Sequence, residues 1–343
     1  MGFYFLCFIM MLIKYNLSTE ENKTIKVGLS LPFEDDYWRT YARYFNKSAE
    51  KFKDEGINFE IKVTFSKRSV SIQQADLENL IANKIDVLII TAHDTKASKN
   101  IIKYCELIDI PIIAFNRLIS DVELKAYISP NMTQAGQYQA EFLLENLKKN
   151  KTNKTKFLVM RGPDSDINSK LLFDGAMNIF RTDQKTKNNV DNDEIFKIMI
   201  VPNWDPNEAK KLCRELEDDF LKDLGYIVAA NDDIAKSCIS SLNNVNLSEI
   251  YIAGHDYSID SIVDLFEMLK YNYFTVDMNQ SNDTYIALNV SKNLVLGKPF
   301  EFRETFKNGQ YDNPHLSGNV CPIDYDTFTK KRMNLLIING DIE

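Results

Sequence analysis

The stretch from Gly225 to Asp256 constrains the fold of this chain more than any other part of the sequence. It reads GYIVAAND, then the helix-like DIAKSCISSL, then a polar link and EIYIAGHD. Two buried-strand patterns flank an amphipathic helix, and parallel strands require such a crossover, so the stretch predicts a βαβ unit. Open α/β sheets bind ligands beyond the carboxyl ends of their strands, so Asn231 and Asp256 are expected side by side at a ligand. The alternative is that both residues only cap the helices that follow.

Strand and helix patterns also alternate along the rest of the chain. Strand patterns such as IKVGLSL, IDVLII, PIIAF, KFLVMRG and IFKIMIV are each followed by polar residues and a helical pattern. Repeated strand–helix pairs predict an α/β protein with parallel sheets that are covered on both faces. The pairs are too many for one domain of usual size, so we expect two doubly wound lobes. Since no Pro/Gly/Ser linker separates them, the chain should cross between the lobes several times.

The composition limits the classes of partner and cofactor. The chain has 343 residues and a net charge of −8, with no basic run, which argues against nucleic acid as a partner. The five cysteines show no CxxC spacing, so we predict neither a metal site nor a cofactor. Cys105, Cys213 and Cys238 fall within helical patterns and are expected to be small core residues.

An apolar run at the N-terminus predicts export. It extends over eleven residues from Phe3 to Ile13, which is too short to span a bilayer comfortably and fits the core of a signal peptide. No Lys or Arg precedes the run and no small-x-small cleavage site follows it. We therefore expect residues 1–24 to be a signal or membrane-anchor leader with a linker. The globular part should lie in the periplasm or at the extracellular face of the membrane, with the apolar segment as a possible anchor.

The sequence gives no positive reason to expect an enzyme. It contains no GxGxxG after the first strand, and no GxxxxGK, HExxH or GxSxG. His93, His255 and His315 lie far apart in the sequence and have no neighbouring nucleophile. We predict no catalytic residues.

Polar and aromatic residues recur after the predicted strands. They are Trp38, Arg39, Asn116, Arg117, Asn168, Trp204, Asn231 and Asp256. Planar groups such as Asn, Asp and Arg can each hold two neighbouring hydroxyls, and indole rings pack against the C–H faces of a sugar ring. These residues therefore predict a sugar-binding site. For Trp204 the alternative is a hydrophobic staple over the helix that begins after Asp205.

Several stretches, taken together, resemble the type I periplasmic sugar-binding proteins, and among them the D-xylose-binding branch. They are IDVLII, PIIAFNRLI with AYIS, FLVMRGPDSDINSKLLFDGAM, NWDPNEA, IVAANDD, IAGHD and LGKP. The resemblance covers nearly all of the chain after the leader. It implies two Rossmann-like lobes, joined by a three-strand hinge, that close over one sugar. With it we expect an N-terminal lobe of residues 25–129 plus 279–303 and a C-terminal lobe of residues 130–278 plus 304–343.

The resemblance also implies roles for individual residues. Arg117, Asn168, Asn231 and Asp256 would bond sugar hydroxyls, and Trp38 and Trp204 would flank the ring. Departures from the residues usual in this branch leave the identity of the sugar open. The chain has Asp36-Tyr37-Trp38 in place of Glu-Arg-Trp, with an arginine only at Arg39, and Phe115-Asn116-Arg117 in place of Tyr-Asp-Arg. Ile167 stands in place of the first Asn of an Asn-Asn pair, and Met278 in place of a hinge lysine. The resemblance favours an aldopentose such as D-xylose, with another monosaccharide as the alternative.

Two kinds of membrane partner fit such a protein. It could deliver its sugar to the permease of an ABC importer, or present the sugar-bound state to the outer domain of a membrane histidine kinase. A leader without a cleavage site tilts the choice toward the kinase. The ligand core of a LacI-type repressor shares the fold, but an apolar leader stands where a helix-turn-helix should precede the first strand. An enzyme on the same scaffold would lack catalytic groups.

Overall fold

The computed structural model describes residues 23–95, 99–149, 153–242, 245–302 and 304–339. The apolar run of the predicted leader lies outside these ranges. In the described ranges, none of the helices has the length and apolarity that crossing a bilayer requires. The strands are β1 Lys23–Leu31, β2 Ile57–Phe65, β3 Val87–Ile90, β4 Ile112–Phe115, β5 Ala126–Pro130, β6 Lys156–Arg161, β7 Phe196–Ile200, β8 Leu224–Val228, β9 Tyr251–Ala253, β10 Tyr273–Asp277, β11 Glu304–Asn308, β12 Tyr311–Gly318 and β13 Cys321–Ile323. The α-helices are α1 Asp36–Glu50, α2 Val70–Ala82, α3 Lys99–Leu107, α4 Met132–Lys148, α5 Ile167–Thr182, α6 Pro206–Arg214, α7 Asp218–Asp223, α8 Asp232–Ile239, α9 Ile259–Leu269, α10 Gln280–Val295 and α11 Tyr325–Asn339.

The strands form two sheets, one in each lobe. The first has the order β11-β12-β5-β4-β3-β1-β2, and the second β13-β10-β9-β8-β6-β7. Pairing is parallel throughout except where β11 meets β12 and β13 meets β10. Central strands such as β3 and β8 are buried along their whole length, as expected for sheets covered by helices on both faces. The predicted α/β class with two doubly wound lobes is confirmed.

The βαβ unit predicted from Gly225 to Asp256 is present. Strand β8 leads into α8, and β9 then pairs with β8 in parallel, with Ile227 opposite Ile252. Asn231 and Asp256 both follow the carboxyl ends of these neighbouring strands. The crossover geometry thus brings two polar residues, distant in sequence, to one edge of the second sheet.

The chain passes between the lobes three times within the described ranges. It passes after β5, after β10, and between β12 and β13. We expected residues 304–343 in the C-terminal lobe, and this assignment is wrong for β11 and β12. Strand β12 pairs in parallel with β5 of the first sheet, with His315 opposite Tyr127. The last crossing therefore lies between Gly318 and Cys321.

Two of the cysteines are joined by a disulfide that the sequence did not predict. Cys213 on α6 and Cys238 on α8 form a disulfide, with their Cα atoms 5.4 Å apart. Both residues are buried in the core of the second lobe, which confirms the expectation that they are core residues, and they also link two helices covalently. Cys105 is buried, as predicted, and is a free thiol.

A buried carboxyl group without a hydrogen-bond partner lies next to the last crossing. Asp283 on α10 is fully buried, and neither of its oxygens has a partner. A Cβ atom at position 318 would lie 2.2 Å from its Oδ1, so the carboxyl group fits only because Gly318 has no side chain. Burial, and secondarily the charge of Asp277, raises the pKa of Asp283 well above its ordinary value of 3.8.

We expect Asp283→Asn to stabilise the protein at alkaline pH. An acid whose pKa is higher in the folded than in the unfolded protein supports folding below its ordinary pKa, and this contribution is lost as the pH rises through the folded-state pKa. The variant should unfold with a free energy about 2 kcal/mol higher than the parent protein at pH 8, and with a similar free energy at pH 4. Urea unfolding at both pH values measures the difference. Parallel pH profiles of the two proteins would contradict the assignment.

Candidate functional site

A cavity of about 170 Å³ lies between the two lobes. It opens where the carboxyl ends of the strands of both sheets face each other. The first lobe contributes Phe33, Asp35, Tyr37, Trp38, Arg68, Asn116 and Arg117. The second contributes Met132, Asp166, Asn168, Trp204, Pro206, Asn231, Asp233, His255 and Asp256. Its volume is below the ~300 Å³ typical of the smallest drug-sized pockets, so it suits a ligand of about one sugar ring.

The structure brings all but one of the sequence-predicted site residues to this cavity. The exception is Arg39, whose side chain is 53% exposed and lies 3.4 Å from Glu34 and 3.8 Å from Asp36. Consecutive residues of a helix point about 100° apart, so a helix that turns Trp38 inward turns Arg39 toward solvent. Its placement in the site is therefore corrected.

The two tryptophans reach the cavity from opposite lobes. Asp35 caps α1 by accepting from the Trp38 backbone N–H at 3.0 Å, and this fixes the helix so that the buried indole stacks on Tyr41 with ring centroids 5.6 Å apart. Trp204 lies immediately before Asp205, the cap of α6, with a positive φ of 54°. Its Nε1 donates to Asp166 Oδ2 at 3.1 Å, whereas a staple would only cover the helix. Gly162 makes room for the ring, because a Cβ there would lie 2.5 Å from it.

An ion pair links the lobes across one wall of the cavity. Arg117 Nε lies 2.7 Å from Asp166 Oδ2, and both side chains are almost wholly buried. The guanidinium also lies over the rings of Phe33 and Trp38, at 5.1 and 5.7 Å from their centroids. Because Asp166 also accepts from Trp204, one carboxylate ties residues of both lobes together.

A pair of asparagines makes a second link between the lobes. Asn168 Nδ2 donates to the Asn116 side-chain oxygen at 2.9 Å and to its backbone oxygen at 3.0 Å. Asn116 has a positive φ of 61°, which asparagine tolerates better than most residues. Asn168 lines the cavity, and its buried Oδ1 has no hydrogen-bond partner among the described residues. Together with the ion pair, these bonds join the two lobes beside the cavity.

Asn231 and Asp256 lie beside each other in the second lobe. Asn231 caps α8, since its Oδ1 accepts from the Ile234 backbone N–H at 2.9 Å, so the capping interpretation and the site interpretation both hold for it. Its side chain also bonds the carboxyl group of Asp256. Asp256 caps no helix; it has a φ of 93°, and Ser258 occupies the cap position of α9.

Burial and neighbouring carboxyl groups shift the pKa values of several residues that line the cavity. Burial raises the pKa of Asp256 well above 3.8, and the nearby charges of Asp232, Asp233 and Asp35 raise it further. Burial also raises the pKa of Asp35. Burial lowers the pKa of His255 to about 3, so its imidazole is neutral at pH 7. His255 Nε2 lies 3.3 Å from Asp256 Oδ1, a position suited to an N–H group that donates a hydrogen bond to the carboxyl group.

Some lining residues were not predicted from the sequence. The charged ones are Asp35, Arg68, Asp166 and Asp233. Asp35 and Asp166 follow β1 and β6, so the rule that sites lie beyond strand ends applied to them as well as to Asn116. Arg68 likewise follows the carboxyl end of β2, and its Nη1 donates across the cleft to the Asn203 backbone oxygen of the other lobe at 2.6 Å.

The arrangement suits a small, uncharged or cationic polar ring. Indole faces from two sides and planar hydrogen-bonding groups between them match the alternating apolar and polar faces of such a ring. In the part of the chain that the structure describes, no group of three or more His, Cys, Asp or Glu side chains is placed to hold a metal ion.

Comparisons with known proteins agree with this architecture. A family model described as "Periplasmic binding protein domain" matches residues 27–299. The D-xylose-binding periplasmic protein of Escherichia coli K12 is 25% identical over 310 residues, which cover 88% of this chain and 87% of that protein. A carbohydrate transporter solute-binding protein of Chloroflexus aurantiacus, solved with D-glucose, superposes with a TM-score of 0.75 at 23% identity, over 94% of this chain and 97% of that one. The fructose-binding periplasmic domain of a hybrid two-component system superposes with a TM-score of 0.70 at 15% identity, over 93% of this chain and all of that one.

Proposed function

Because the chain belongs to the periplasmic binding protein domain family, which confirms the resemblance seen in the sequence, we propose that it binds one monosaccharide outside the cytoplasm and presents it to a membrane protein. The observation that carries the proposal is the cavity between the lobes, with a tryptophan from each lobe and polar groups from both. An aldopentose such as D-xylose is the first candidate, since the E. coli relative is named for D-xylose. Its 25% identity leaves other monosaccharides open.

The proposed hydroxyl contacts are Arg117, Asn116, Asn168, Asn231 and Asp256. A buried hydrogen-bonding group left unpaired costs about 1–3 kcal/mol, so a site with five such residues rejects ligands whose hydroxyls are missing or misplaced. Trp38 and Trp204 supply the flanking faces. No chemical step is proposed, since the geometry offers binding groups and no nucleophile with a neighbouring base.

Lobe closure is the proposed signal. Ligand contacts from both lobes favour the closed form by the difference in the ligand's affinity for the open and closed states. The links from Arg117 to Asp166 and from Asn168 to Asn116 form only when the lobes meet. The closed surface is then what a membrane partner would recognise.

A panel of pentoses, hexoses and polyols tests the proposal by isothermal calorimetry. We expect one binding site per chain for at least one monosaccharide, and a smaller radius of gyration in solution scattering when it is bound. Failure of every sugar to bind would overturn the proposal. Co-precipitation with the outer domain of a neighbouring histidine kinase, with and without sugar, then distinguishes the partners: sugar-dependent capture indicates a sensor, and its absence indicates an importer.

A further inference from the structure

The cavity is lined by more acidic than basic side chains. Its charged residues are Asp35, Asp166, Asp233 and Asp256 against Arg68 and Arg117. His255 adds no charge at pH 7, because burial lowers its pKa to about 3. Asp232, which is fully buried directly behind this wall, adds a further acid whose pKa burial raises to about 7.

The guanidinium groups of Arg68 and Arg117 already interact with carboxyl groups of the protein. Arg117 pairs with Asp166 at 2.7 Å. Arg68 lies 3.9 Å from Asp35 Oδ2, and its remaining contacts are the Asn203 backbone oxygen and the ring of Phe33. The two arginines of the cavity therefore pair with Asp166 and Asp35, and neither forms an ion pair with Asp233 or Asp256.

Asp233 and Asp256 have only neutral partners. Asp233 Oδ1 accepts from the hydroxyl groups of Ser258 and Ser261, at 3.2 and 2.5 Å. Asp256 interacts with Asn231 and with the neutral His255. The charge of Asp233 contributes to raising the pKa of Asp256, so the two carboxyl groups lie close together, and neither arginine of the cavity forms an ion pair with them. A cationic ligand would therefore gain a favourable Coulomb interaction at this place, where the dielectric constant is low.

Two buried acceptors at the same cavity are also without donors. Since Nε2 of His255 faces the Asp256 carboxylate, Nδ1 is left with its lone pair, and it has no partner. The buried Oδ1 of Asn168 has none either. A ligand that brings several donors and a positive charge would match the acidic lining of this part of the cavity, and a protonated amine has three donors on one cationic centre.

We propose that the cavity prefers a monosaccharide-sized ligand with a protonated amino group, such as an amino sugar or an amino polyol, over the neutral ligand of the same shape, with the ammonium group facing Asp233 and Asp256. This inference rests on the proposed sugar-binding function and names the ligand class within it. The matching of charge, rather than the number of contacts, decides the preference. It follows that the affinity for the amine rises with pH while Asp256, whose pKa burial raises, ionises, and that it falls only when the amine itself loses its proton.

Calorimetry with matched ligands tests the proposal on the intact protein. D-Xylose is compared with 2-amino-2-deoxy-D-xylose, D-glucose with D-glucosamine, and D-galactose with D-galactosamine. The N-acetyl derivatives of the two hexosamines keep the nitrogen and lose the charge. In at least one pair we expect the amino sugar to bind about tenfold or more tightly than both the neutral sugar and the N-acetyl form. We expect that ratio to grow between pH 5 and pH 7.

Asp233→Asn is the matched variant, since asparagine keeps an acceptor for Ser258 and Ser261 and removes the charge. It should reduce the ratio of amino-sugar to neutral-sugar affinity to about threefold or less. Neutral sugars that bind as tightly as their amino counterparts in every pair would overturn the inference and leave the sugar-binding function standing. An amine preference that Asp233→Asn and Asp256→Asn both leave unchanged would also overturn it. Binding of no ligand in the panel would overturn the function and the inference together.

Discussion

Replacing Asn231 or Asp256 with alanine is expected to lower the affinity for the bound sugar by at least about a hundredfold. A hydrogen bond to a charged group contributes about 1.5–3 kcal/mol, and a carboxylate such as that of Asp256 can accept two from neighbouring hydroxyls. Asn231 bonds Asp256, so its loss removes one contact and loosens another. Calorimetric titration of the variants with the sugar selected by the panel measures the effect.

The backbone conformations at Asp256 and Asn231 affect how the measured affinities of these variants are interpreted. Asp256 has a φ of 93°, where alanine is strained, so Asp256→Asn is the milder companion variant. Asn231 is in the extended region but caps α8, so Asn231→Ala should also cost about 1 kcal/mol of stability, which thermal unfolding reports separately. Arg39→Ala, next to Trp38 but directed to solvent, should bind sugar like the parent protein. Unchanged affinity in the Asn231 and Asp256 variants would remove both residues from the site.

Breaking the ion pair between the lobes is the second large effect that we expect. Arg117→Met or Asp166→Asn leaves one buried charge without its partner, and such losses cost about 3–5 kcal/mol. In the proposed open form the lobes would be apart and this pair would be absent, so the cost would fall on the closed form. Sugar affinity should decrease at least a hundredfold in each single variant, and the ligand-free protein should show a larger radius of gyration in solution scattering.

The double variant separates pairing from loss of a sugar contact. If the two side chains act as a pair, the double variant should be less impaired than the sum of the single effects, by about 1.5 kcal/mol or more. Lys170→Met removes an ion pair with Asp174 on the exposed face of α5, the helix that Asp166 caps, and should change neither quantity. Strictly additive effects of Arg117→Met and Asp166→Asn on the sugar affinity would contradict a stabilising ion pair between the lobes.

The alternation of strand and helix patterns predicted most of the fold because buried parallel strands such as Val87–Ile90 are recognisable by composition alone. The β11–β12 hairpin was assigned to the wrong lobe. Its strands are only partly buried, and Pro314 interrupts the pattern of β12, so the local sequence does not identify β5 as its neighbour. The disulfide was missed for a similar reason. The spacing of Cys213 and Cys238 says nothing about how two helices approach each other in space.

The site was predictable where a residue follows a strand, and less so elsewhere. Asn116, Asn231 and Asp256 all occupy such positions, and the topology gathers them. The placement of Arg39 in the site was wrong because consecutive helical residues such as Trp38 and Arg39 point about 100° apart. Interactions across the cleft, such as that of Arg68 with the Asn203 backbone, depend on how the two lobes meet, which neither lobe's sequence encodes by itself.

The tryptophans allow the most direct test of the claim that both lobes contact one sugar. The chain has two tryptophans, and both line the cavity, one from each lobe. Fluorescence titration of Trp38→Phe and Trp204→Phe therefore observes each wall in isolation. We predict that the sugar changes the emission of the remaining tryptophan in both variants, with an apparent affinity that matches calorimetry on the same variant. A sugar that binds by calorimetry and leaves the emission of both tryptophans unchanged would contradict the account.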